Sequence, residues 1–497
     1  MITRRGMLAG ILAGTALPVW AEGMDSSVRP RPKGQGQVSG GASAPAAPVQ
    51  VQDAEALVTA AKLTGTVGFV VADAATGKVL EARAPETAMP PASVAKAVTS
   101  LFALERLGAG HRYVTRVLAT GPIEAGVLKG DLVLAGGGDP TLETDQLGDL
   151  AARLAKSGLK RVTGRFLAAD GALPRMDALV PDQPVQVGYN PGLSGLNLNF
   201  NRVYFEWKKS GGDWTVGMDA RGARFVPAVN LVRMAVKKRQ SPLYTYDRGP
   251  EREDWTVASG ALGTKGGSRW LPVRLTGRYT AEVFRTLARA QGIDLPAVEL
   301  VAAAPKGREI GRIESEALPA ILRSMLKFST NLTAECNGLT ASGAGTLARS
   351  GTAMSDWARQ NFGVDARFVD HSGLGGASRI SAADMVKILS AAHVQGRGLK
   401  PLLRDVGMKD DKGAVIKGHP VKVVAKSGTL NFVSGLAGHI TPPAGREMVF
   451  AIFTGDPTRR DAVPVAARER PEGVEAWIKR SRRLQGQLIS RWAGLYA

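Results

Sequence analysis

Runs of alternating and helically spaced apolar residues divide the chain into predicted elements. Residues 66–86 alternate apolar and polar positions on either side of a turn ending at Gly77, which predicts a β-hairpin. After Pro90 and Pro91, apolar residues recur at helical spacing until Gly108, which predicts a helix. The apolar face of this helix is broad enough to be buried in a large core.

The second half of the chain shows the same two patterns. Residues 321–326 are spaced as a helix, and the alternating apolar positions at 421–425 predict a strand. Residues 445–458 contain an apolar run that predicts a neighbouring strand, and 473–492 form an amphipathic pattern that predicts a closing helix. Residues 121–274 alternate short strand-like runs with Gly and Asp turns, so we expect this region to be rich in strands.

The N-terminal 50 residues carry no such periodicity. Residues 1–21 combine the paired Arg4 and Arg5, an apolar stretch shorter than a bilayer requires and small residues at a cleavage position, which is typical of a twin-arginine signal peptide. Residues 22–50 are rich in Pro, Gly, Ala and Ser, and we interpret them as a flexible linker. After signal removal we expect no transmembrane segment.

Composition narrows the classes of function. The 497 residues include 64 Lys+Arg and 44 Asp+Glu, a net charge of +20, of which the predicted signal peptide holds two arginines and no acid, leaving +18. This excess indicates an anionic partner, but no basic run with interleaved aromatic residues appears, so we expect no nucleic-acid partner. The single Cys336 excludes an internal disulfide, and the five histidines lack metal-ligand spacing, so we expect no metal.

The first candidate for chemistry is Ser93, three places before Lys96 at the start of the first predicted helix. Both side chains then project from one helix face. A serine hydroxyl becomes a nucleophile when a base takes its proton, and a lysine can be that base only if its pKa falls from about 10.4 toward about 7. Burial beside a second cation would lower it. S-x-x-K alone is more typical of a helix cap beside a solvated lysine.

Two further motifs follow in the chain. Ser329-Thr330-Asn331 comes directly after the helical pattern at 321–326, and Lys426-Ser427-Gly428-Thr429 stands at the end of the predicted strand. Each motif alone is common in polar turns. The three together, each on the expected kind of element, indicate one catalytic constellation.

These signatures resemble those of the penicillin-recognising serine enzymes, S-x-x-K, S-x-N and K-T/S-G. The sequence most resembles the penicillin-binding-protein-4-like D-alanyl-D-alanine carboxypeptidase/endopeptidases, the class C low-molecular-mass penicillin-binding proteins. The separation of 233 positions from Lys96 to Ser329 favours this group over a simple β-lactamase, and the likeness runs from about residue 55 to about 455.

The resemblance implies an α/β (α+β) fold with a β-lactamase/transpeptidase-like catalytic domain. In it an antiparallel sheet is flanked by helices. We expect this domain at 51–120 and 275–497, with a large strand-rich inserted accessory region at 121–274.

The resemblance also implies catalytic roles. Ser93 is expected to attack the carbonyl between two D-alanines while Lys96 accepts its proton. Ser329 is expected to pass a proton to the leaving amine. The backbone amides of Ser93 and Thr429 are expected to form the oxyanion hole.

Substrate binding is expected from Asn331, Lys426, Ser427 and Thr429. Asn331 would bind a stem-peptide amide and position Lys96, while Lys426 would keep Lys96 deprotonated. Lys426, Ser427 and Thr429 would hold the terminal carboxylate, and no cofactor is required. Two positions depart from the family pattern: Ser427 replaces a threonine, and His371 in DHSGLGG replaces a glycine, so we expect a differently shaped loop there.

The expected function is a periplasmic serine-type D-Ala-D-Ala carboxypeptidase/endopeptidase. Its partners would be peptidoglycan stem peptides, with β-lactam antibiotics as covalent inhibitors, and the polyanionic cell wall would suit the positive charge. The sequence leaves the balance between carboxypeptidase and endopeptidase open. One alternative is a β-lactamase or esterase on the same scaffold, although the Glu-x-x-Leu-Asn loop of class A enzymes is not found after Lys96. The other is a non-catalytic wall-binding protein, and the intact motifs argue against it.

Overall fold

A computed structural model describes residues 52–409 and 414–496. The predicted signal peptide, 1–21, and linker, 22–50, lie outside the described residues. Within the described ranges, no helix has both the length and the apolar character needed to cross a membrane.

The strands are numbered in chain order. They are β1 (Thr66–Asp73), β2 (Val79–Arg83), β3 (Val114–Ala119), β4 (Ile123–Glu124), β5 (Val127–Leu128), β6 (Leu132–Ala135), β7 (Arg161–Val162), β8 (Phe166–Ala169), β9 (Arg202–Ser210), β10 (Asp213–Asp219), β11 (Val232–Lys237), β12 (Tyr244–Arg248), β13 (Glu253–Ala258), β14 (Gly267–Pro272), β15 (Val298–Val301), β16 (Arg308–Glu314), β17 (Arg404–Asp405), β18 (Lys422–Leu430), β19 (Val433–Thr441) and β20 (Met448–Gly455).

The α-helices are numbered in the same way. They are α1 (Ala54–Ala61), α2 (Ala95–Leu107), α3 (Thr144–Lys156), α4 (Thr276–Ala290), α5 (Leu318–Phe328), α6 (Asn331–Ser342), α7 (Leu347–Phe362), α8 (Ala382–Val394), α9 (Pro457–Asp461) and α10 (Val474–Leu495). Short 3₁₀ turns include Ala92–Val94 directly before α2 and Lys400–Leu402 before β17.

A six-stranded antiparallel sheet forms the centre of the first structural unit. Its strand order is β17-β18-β19-β20-β1-β2. One face packs against α2, α5, α7 and α8, and the other packs against α1 and α10. The predicted hairpin, first helix, closing helix and antiparallel sheet flanked by helices are therefore confirmed.

The two-sided burial of this sheet explains the apolar run in its central strand. Every residue of β20 is buried, as expected for a strand that is covered on both faces. On α10, Leu484, Leu488 and Trp492 recur every four residues and are fully buried against the sheet. This spacing places them on a single face of the helix.

The region between β2 and α5 contains the remaining sheets, and it is rich in strands as predicted. A mixed five-stranded sheet has the order β15-β8-β6-β3-β16, and three smaller sheets contain β4-β5-β7, β10-β9-β14 and β11-β13-β12. Helices α3 and α4 pack on the larger core of this region.

The predicted boundaries of the insertion, 121 and 274, do not coincide with the edges of this second core. β3 and β16 pair with each other, although they lie outside the predicted insertion on both sides. α4 also packs into the same core. Short apolar strands look alike in both units, so the pattern along the chain does not reveal to which sheet a strand belongs.

Candidate active site

Ser93 lies in the 3₁₀ turn that opens into α2. The preceding Ala92 is buried and has a left-handed φ of 47°, a conformation that costs an L-residue about 1–2 kcal/mol. A Cβ on Gly373 would lie 1.8 Å from the Ala92 carbonyl oxygen, so a glycine is needed where this loop packs against the turn. The surrounding structure thus imposes the turn that presents Ser93.

Lys96 is fully buried on the first turn of α2, where its amine contacts three oxygen atoms. Nζ lies 2.9 Å from Ser93 Oγ, 2.8 Å from Asn331 Oδ1 and 2.7 Å from the carbonyl oxygen of Ser372. A neutral amine has two N–H groups and one lone pair. It can therefore donate to the two carbonyl oxygens and accept the hydroxyl proton of Ser93, as a general base requires.

Burial favours this neutral form. Desolvation lowers the pKa of Lys96 from 10.5 to about 7, although the carboxylates of Glu335 and Asp370 oppose the shift. Desolvation also holds the pKa of Lys426 well below its ordinary value, and the neighbouring charges of Lys96 and Arg404 add to the effect. At neutral pH a substantial fraction of Lys96 is therefore a free amine.

Ser329 and Lys426 meet on the other side of the cleft. α5 ends at Phe328, and Ser329 follows in a left-handed conformation with φ of 58°. Its Oγ accepts a hydrogen bond of 3.0 Å from Lys426 Nζ, which also donates to the Ser427 carbonyl at 2.6 Å. The serine of the second motif and the lysine of the third are thus in direct contact.

Asn331 begins α6 and connects the two structural units. Its Oδ1 accepts from Lys96, and its Nδ2 donates 3.0 Å to the carbonyl of Tyr189. This geometry supports a role in positioning Lys96. Its contact with a stem peptide stays a prediction.

β18 comes close to the Ser93 turn at Gly428. A Cβ at this position would lie 2.6 Å from the Pro91 carbonyl oxygen and 2.8 Å from the Ser93 nitrogen, so only a glycine lets the two backbones approach. Ser93 and Thr429 line the same cleft. The use of their amides as an oxyanion hole stays a prediction.

Two arginines contact the hydroxyls of the third motif. Arg404, on β17, donates 3.3 Å to Ser427 Oγ, and Arg482, on α10, donates 3.3 Å to Thr429 Oγ1. Desolvation and the charge of Arg404 lower the pKa of Arg482. Among residues 52–409 and 414–496, neither guanidinium forms an ion pair with an acidic side chain.

The cleft that contains these residues is large and positively charged. It has a volume of about 1390 Å³ and is lined by Ser93, Ser329, Asn331, Lys426 and Thr429, among others. Of the described side chains that line it, eleven are Lys or Arg and three are Asp or Glu. Such a cleft concentrates anionic ligands.

His371 does not face the cleft. Its imidazole is fully buried, with a nitrogen 2.6 Å from Ser350 Oγ and its ring stacked on Phe102. Burial lowers the pKa of His371 to about 3, so the ring is neutral. A Cβ on Gly338 would lie 2.0 Å from the ring, so that glycine makes the space for the imidazole.

One further group of side chains has metal-ligating atoms close together. His393, His439 and Glu447 place such atoms within 4.8 Å of one another, which the spacing of the histidines along the chain does not suggest. The Lys400 ammonium lies 2.6 Å from a Glu447 oxygen. The Lys400 ammonium therefore already pairs with the Glu447 carboxylate, in the place that a metal ion would take.

Several residues of the site were not predicted from the sequence. These are the Ser372 carbonyl, the buried acids Glu335 and Asp370, and the arginines 404 and 482. Glu335 gave no clear signal, because the helix that holds it has no single apolar face: all residues from 332 to 339 are buried, polar ones included. No pattern along the chain identifies the arginines, which come from elements that are separate in sequence.

Residues 50–472 match the sequence profile of the D-Ala-D-Ala carboxypeptidase 3 (S13) family. The D-alanyl-D-alanine carboxypeptidase of Actinomadura sp. (strain R39) is 27% identical over 493 residues, covering 85% of this chain and 86% of the relative. The D-alanyl-D-alanine carboxypeptidase DacB of Haemophilus influenzae is 24% identical, covering 78% and 86%.

Solved structures give the same fold. The crystal structure of penicillin binding protein 4 (dacB) from H. influenzae superposes with a TM-score of 0.70 at 21% identity, covering 88% of this chain and 99% of that one. A structure of the same protein complexed with a β-lactam superposes with a TM-score of 0.67. These similarities establish the transpeptidase-like fold, in agreement with the fold class expected from the sequence.

Proposed function

Since this chain belongs to the D-Ala-D-Ala carboxypeptidase 3 (S13) family, and is thereby a D-Ala-D-Ala carboxypeptidase, we propose that Ser93 is its nucleophile and Lys96 its general base. The observation that carries this proposal is the 2.9 Å contact between Ser93 Oγ and Lys96 Nζ. The two carbonyl acceptors of Lys96 occupy the N–H groups of a neutral amine and direct its lone pair toward the serine.

In the proposed acylation step, Lys96 takes the Ser93 proton as Oγ bonds to the carbonyl carbon of the penultimate D-alanine. The backbone amides of Ser93 and Thr429 stabilise the oxyanion, at roughly 3–4 kcal/mol per donor in comparable sites. Ser329, in contact with Lys426, passes its proton to the leaving amine and is reprotonated with the proton that Lys96 took, so Lys96 is again a free amine. The C–N bond then breaks, D-alanine leaves and Ser93 carries an ester.

In the proposed deacylation step, a water molecule attacks this ester. Lys96 again takes a proton, now from the water, and returns it to Ser93 Oγ as the ester bond breaks. The products are the shortened stem peptide and the free serine. Protons balance over the two steps, so no cofactor is needed.

The carboxylate of the leaving D-amino acid is proposed to bind between Ser427 and Thr429. Arg404 and Arg482 already donate to these two hydroxyls and have no acidic partner among the described side chains. A carboxylate there would accept charge-assisted hydrogen bonds, which are about twice as strong as neutral ones. Asn331, at the other side of Ser93, would bind the acyl part of the stem peptide.

The same site is proposed to react with β-lactams. The H. influenzae penicillin binding protein 4, which has this fold, has been crystallised with a β-lactam. Opening of the lactam ring by Ser93 would form an ester without releasing a leaving group.

Endopeptidase action on cross-linked peptides is also proposed, because the 1390 Å³ cleft has room for a larger leaving amine.

We also propose a periplasmic location, reached by the twin-arginine route, on the basis of the predicted signal peptide. For the domains, we propose a catalytic unit formed, among the described residues, by 52–112, 316–409 and 414–496. The strand pairing supports moving the ends of the inserted region outward to about 113 and 315, because β3 and β16 belong to its sheet.

The test is to incubate the purified protein with a pentapeptide stem, a cross-linked muropeptide and a fluorescent penicillin, and to follow products by mass. We expect D-alanine release and a stable penicillin adduct on Ser93, both lost in Ser93→Ala and retained in Ser324→Ala, a control on α5. A Ser93→Ala protein that still forms the adduct would refute the nucleophile. Rapid turnover of penicillin without D-alanine release would instead indicate a β-lactamase.

A second experiment tests the carboxylate site. Arg404→Gln and Arg482→Gln should each lower kcat/KM for a substrate ending in free D-alanine by about tenfold, because each removes one charged hydrogen bond. The same variants should change kcat/KM little for the matching C-terminal amide, which lacks the anion. Equal losses on both substrates would show that the arginines act on the fold of the cleft.

A further inference from the structure

Two carboxyl groups are buried behind Lys96 and take no part in the proposed steps. Glu335 lies on α6, one turn after Asn331, and Asp370 lies in the loop before α8; both are almost completely inaccessible. Their pKa values are raised, first by burial and, for Glu335, next by the charge of Asp370. Such groups are costly to bury, so each requires a structural or chemical explanation.

Hydrogen bonds give the first part of the explanation. The two oxygens of Glu335 accept from the backbone amides of His371 and Ser372, both at 2.9 Å. Asp370 accepts from the amides of Gly373 at 2.8 Å and Gly375 at 2.5 Å. Together the two acids bind four amides of a single loop, residues 370–375.

This loop is in direct contact with the general base. The Ser372 amide donates to Glu335, while the carbonyl of the same residue accepts the 2.7 Å hydrogen bond from Lys96 Nζ. One residue therefore connects Glu335 to Lys96. A shift of the loop would remove one of the two acceptors that orient the Lys96 lone pair toward Ser93.

We propose that Glu335 and Asp370 are positioning residues for Lys96: they fix the 370–375 loop that holds its amine, and the negative charge that they share sets how much of Lys96 is free amine. This inference rests on the proposed role of Lys96 as the base. Neither acid touches substrate, so both act through the loop and through charge.

Few other groups near Glu335 and Asp370 carry a charge that could act on Lys96. The thiol of Cys336 on α6 stays protonated, because burial raises its pKa, and the imidazole of His371 is neutral. Burial and then the charge of Lys96 lower the pKa of Lys426 on β18, while the two acids favour a charge on Lys96. Two buried carboxyls that face one loop cannot both ionise at low cost, so they share about one negative charge near neutral pH.

The experiment measures the pH dependence of Ser93 acylation by a fluorescent penicillin in the full chain. Removing both carboxylates, in the double variant Glu335→Gln with Asp370→Asn, removes the charges that favour the Lys96 ammonium. The acidic limb of the pH profile, where the acylation rate rises as Lys96 loses its proton, should then move to lower pH by about one unit or more. Each single variant should move it by less than half as much, because the remaining acid takes over the charge.

Thr333→Val is the matched control. Thr333 lies on the same helix, and its buried hydroxyl has no hydrogen-bond partner among the described residues. The variant keeps the shape of the side chain and changes no charge. The acidic limb of its acylation profile should therefore coincide with that of the wild type. Thermal unfolding and near-ultraviolet circular dichroism establish that each variant is folded.

The outcomes separate three conclusions. The inference is supported if the acidic limb of the acylation profile moves to lower pH in the double variant while Ser93→Ala stays unreactive. A limb that stays in place while only the rate falls overturns it, because a purely structural loop anchor changes rate without changing the titration of Lys96. If wild-type labelling does not depend on Ser93, the proposed function fails instead. If the double variant does not fold, absence of any shift in both single variants overturns the inference.

Discussion

Lys96→Met should change how the stability of the enzyme depends on pH, because the native structure buries this lysine as an amine. In the folded chain its pKa is about 7, compared with 10.5 for the exposed group. Between these values the unfolded chain holds a proton that the folded chain has released. The contribution of Lys96 to the free energy of unfolding therefore rises with pH across this window.

The magnitude follows from the two pKa values. Each unit of pKa difference corresponds to 1.36 kcal/mol, so the cost of burying Lys96 approaches about 4–5 kcal/mol below pH 7 and vanishes above pH 10.5. Between pH 7.5 and 9.5 the cost falls by about 2–3 kcal/mol. Methionine has similar length and no charge, so Lys96→Met carries no such titration.

The assay is urea unfolding at pH 7.5, 8.5 and 9.5, followed by tryptophan fluorescence. Trp357 packs on Phe102 of α2, with ring centroids 5.4 Å apart, and thus reports on the unit that holds Lys96. The wild type should gain about 2–3 kcal/mol relative to Lys96→Met over these two pH units. The variant should also lose acylation by penicillin.

The control is Lys327→Met, which removes an exposed lysine from the rim of the same cleft. Its ammonium is hydrated in the folded and unfolded chain alike, so the difference from wild type should be the same at all three pH values. If the Lys96→Met difference is equally constant, Lys96 remains an ammonium in the native enzyme. The general-base assignment would then be refuted.

Three further predictions concern other parts of the molecule. Gly428→Ala should lower the rate of penicillin labelling at least tenfold, because its Cβ would lie 2.6 Å from the Pro91 carbonyl oxygen; wild-type labelling would mean that β18 can move away freely. Glu81→Gln should lower the free energy of unfolding by about 1–2 kcal/mol in urea titrations, since it breaks the half-buried pair with Arg491, and an unchanged midpoint would contradict this. Cys336 is fully buried, so a thiol reagent should react with it only after denaturant is added; rapid labelling of the native protein would show that α6 opens.

Much of the site could be predicted because its motifs are local. Ser93 and Lys96 share a helix face through the geometry of one helical turn, and alternation placed Lys426 on a strand. The structure then joins Ser329 to Lys426 by a 3.0 Å contact. The order and type of these elements are properties of short segments, so periodicity alone is sufficient to find them.

The amino-acid sequence alone determined the helices and strands, the three motifs and the need for a neutral lysine. Only the tertiary structure decided what surrounds that lysine. The Ser372 carbonyl is 276 residues away from Lys96 along the chain, and Glu335 and Asp370 reach it through a loop whose shape has no periodic signal. The physical reason is that helix and strand patterns are set by neighbouring residues, whereas desolvation and charge at one atom depend on every segment that packs around it.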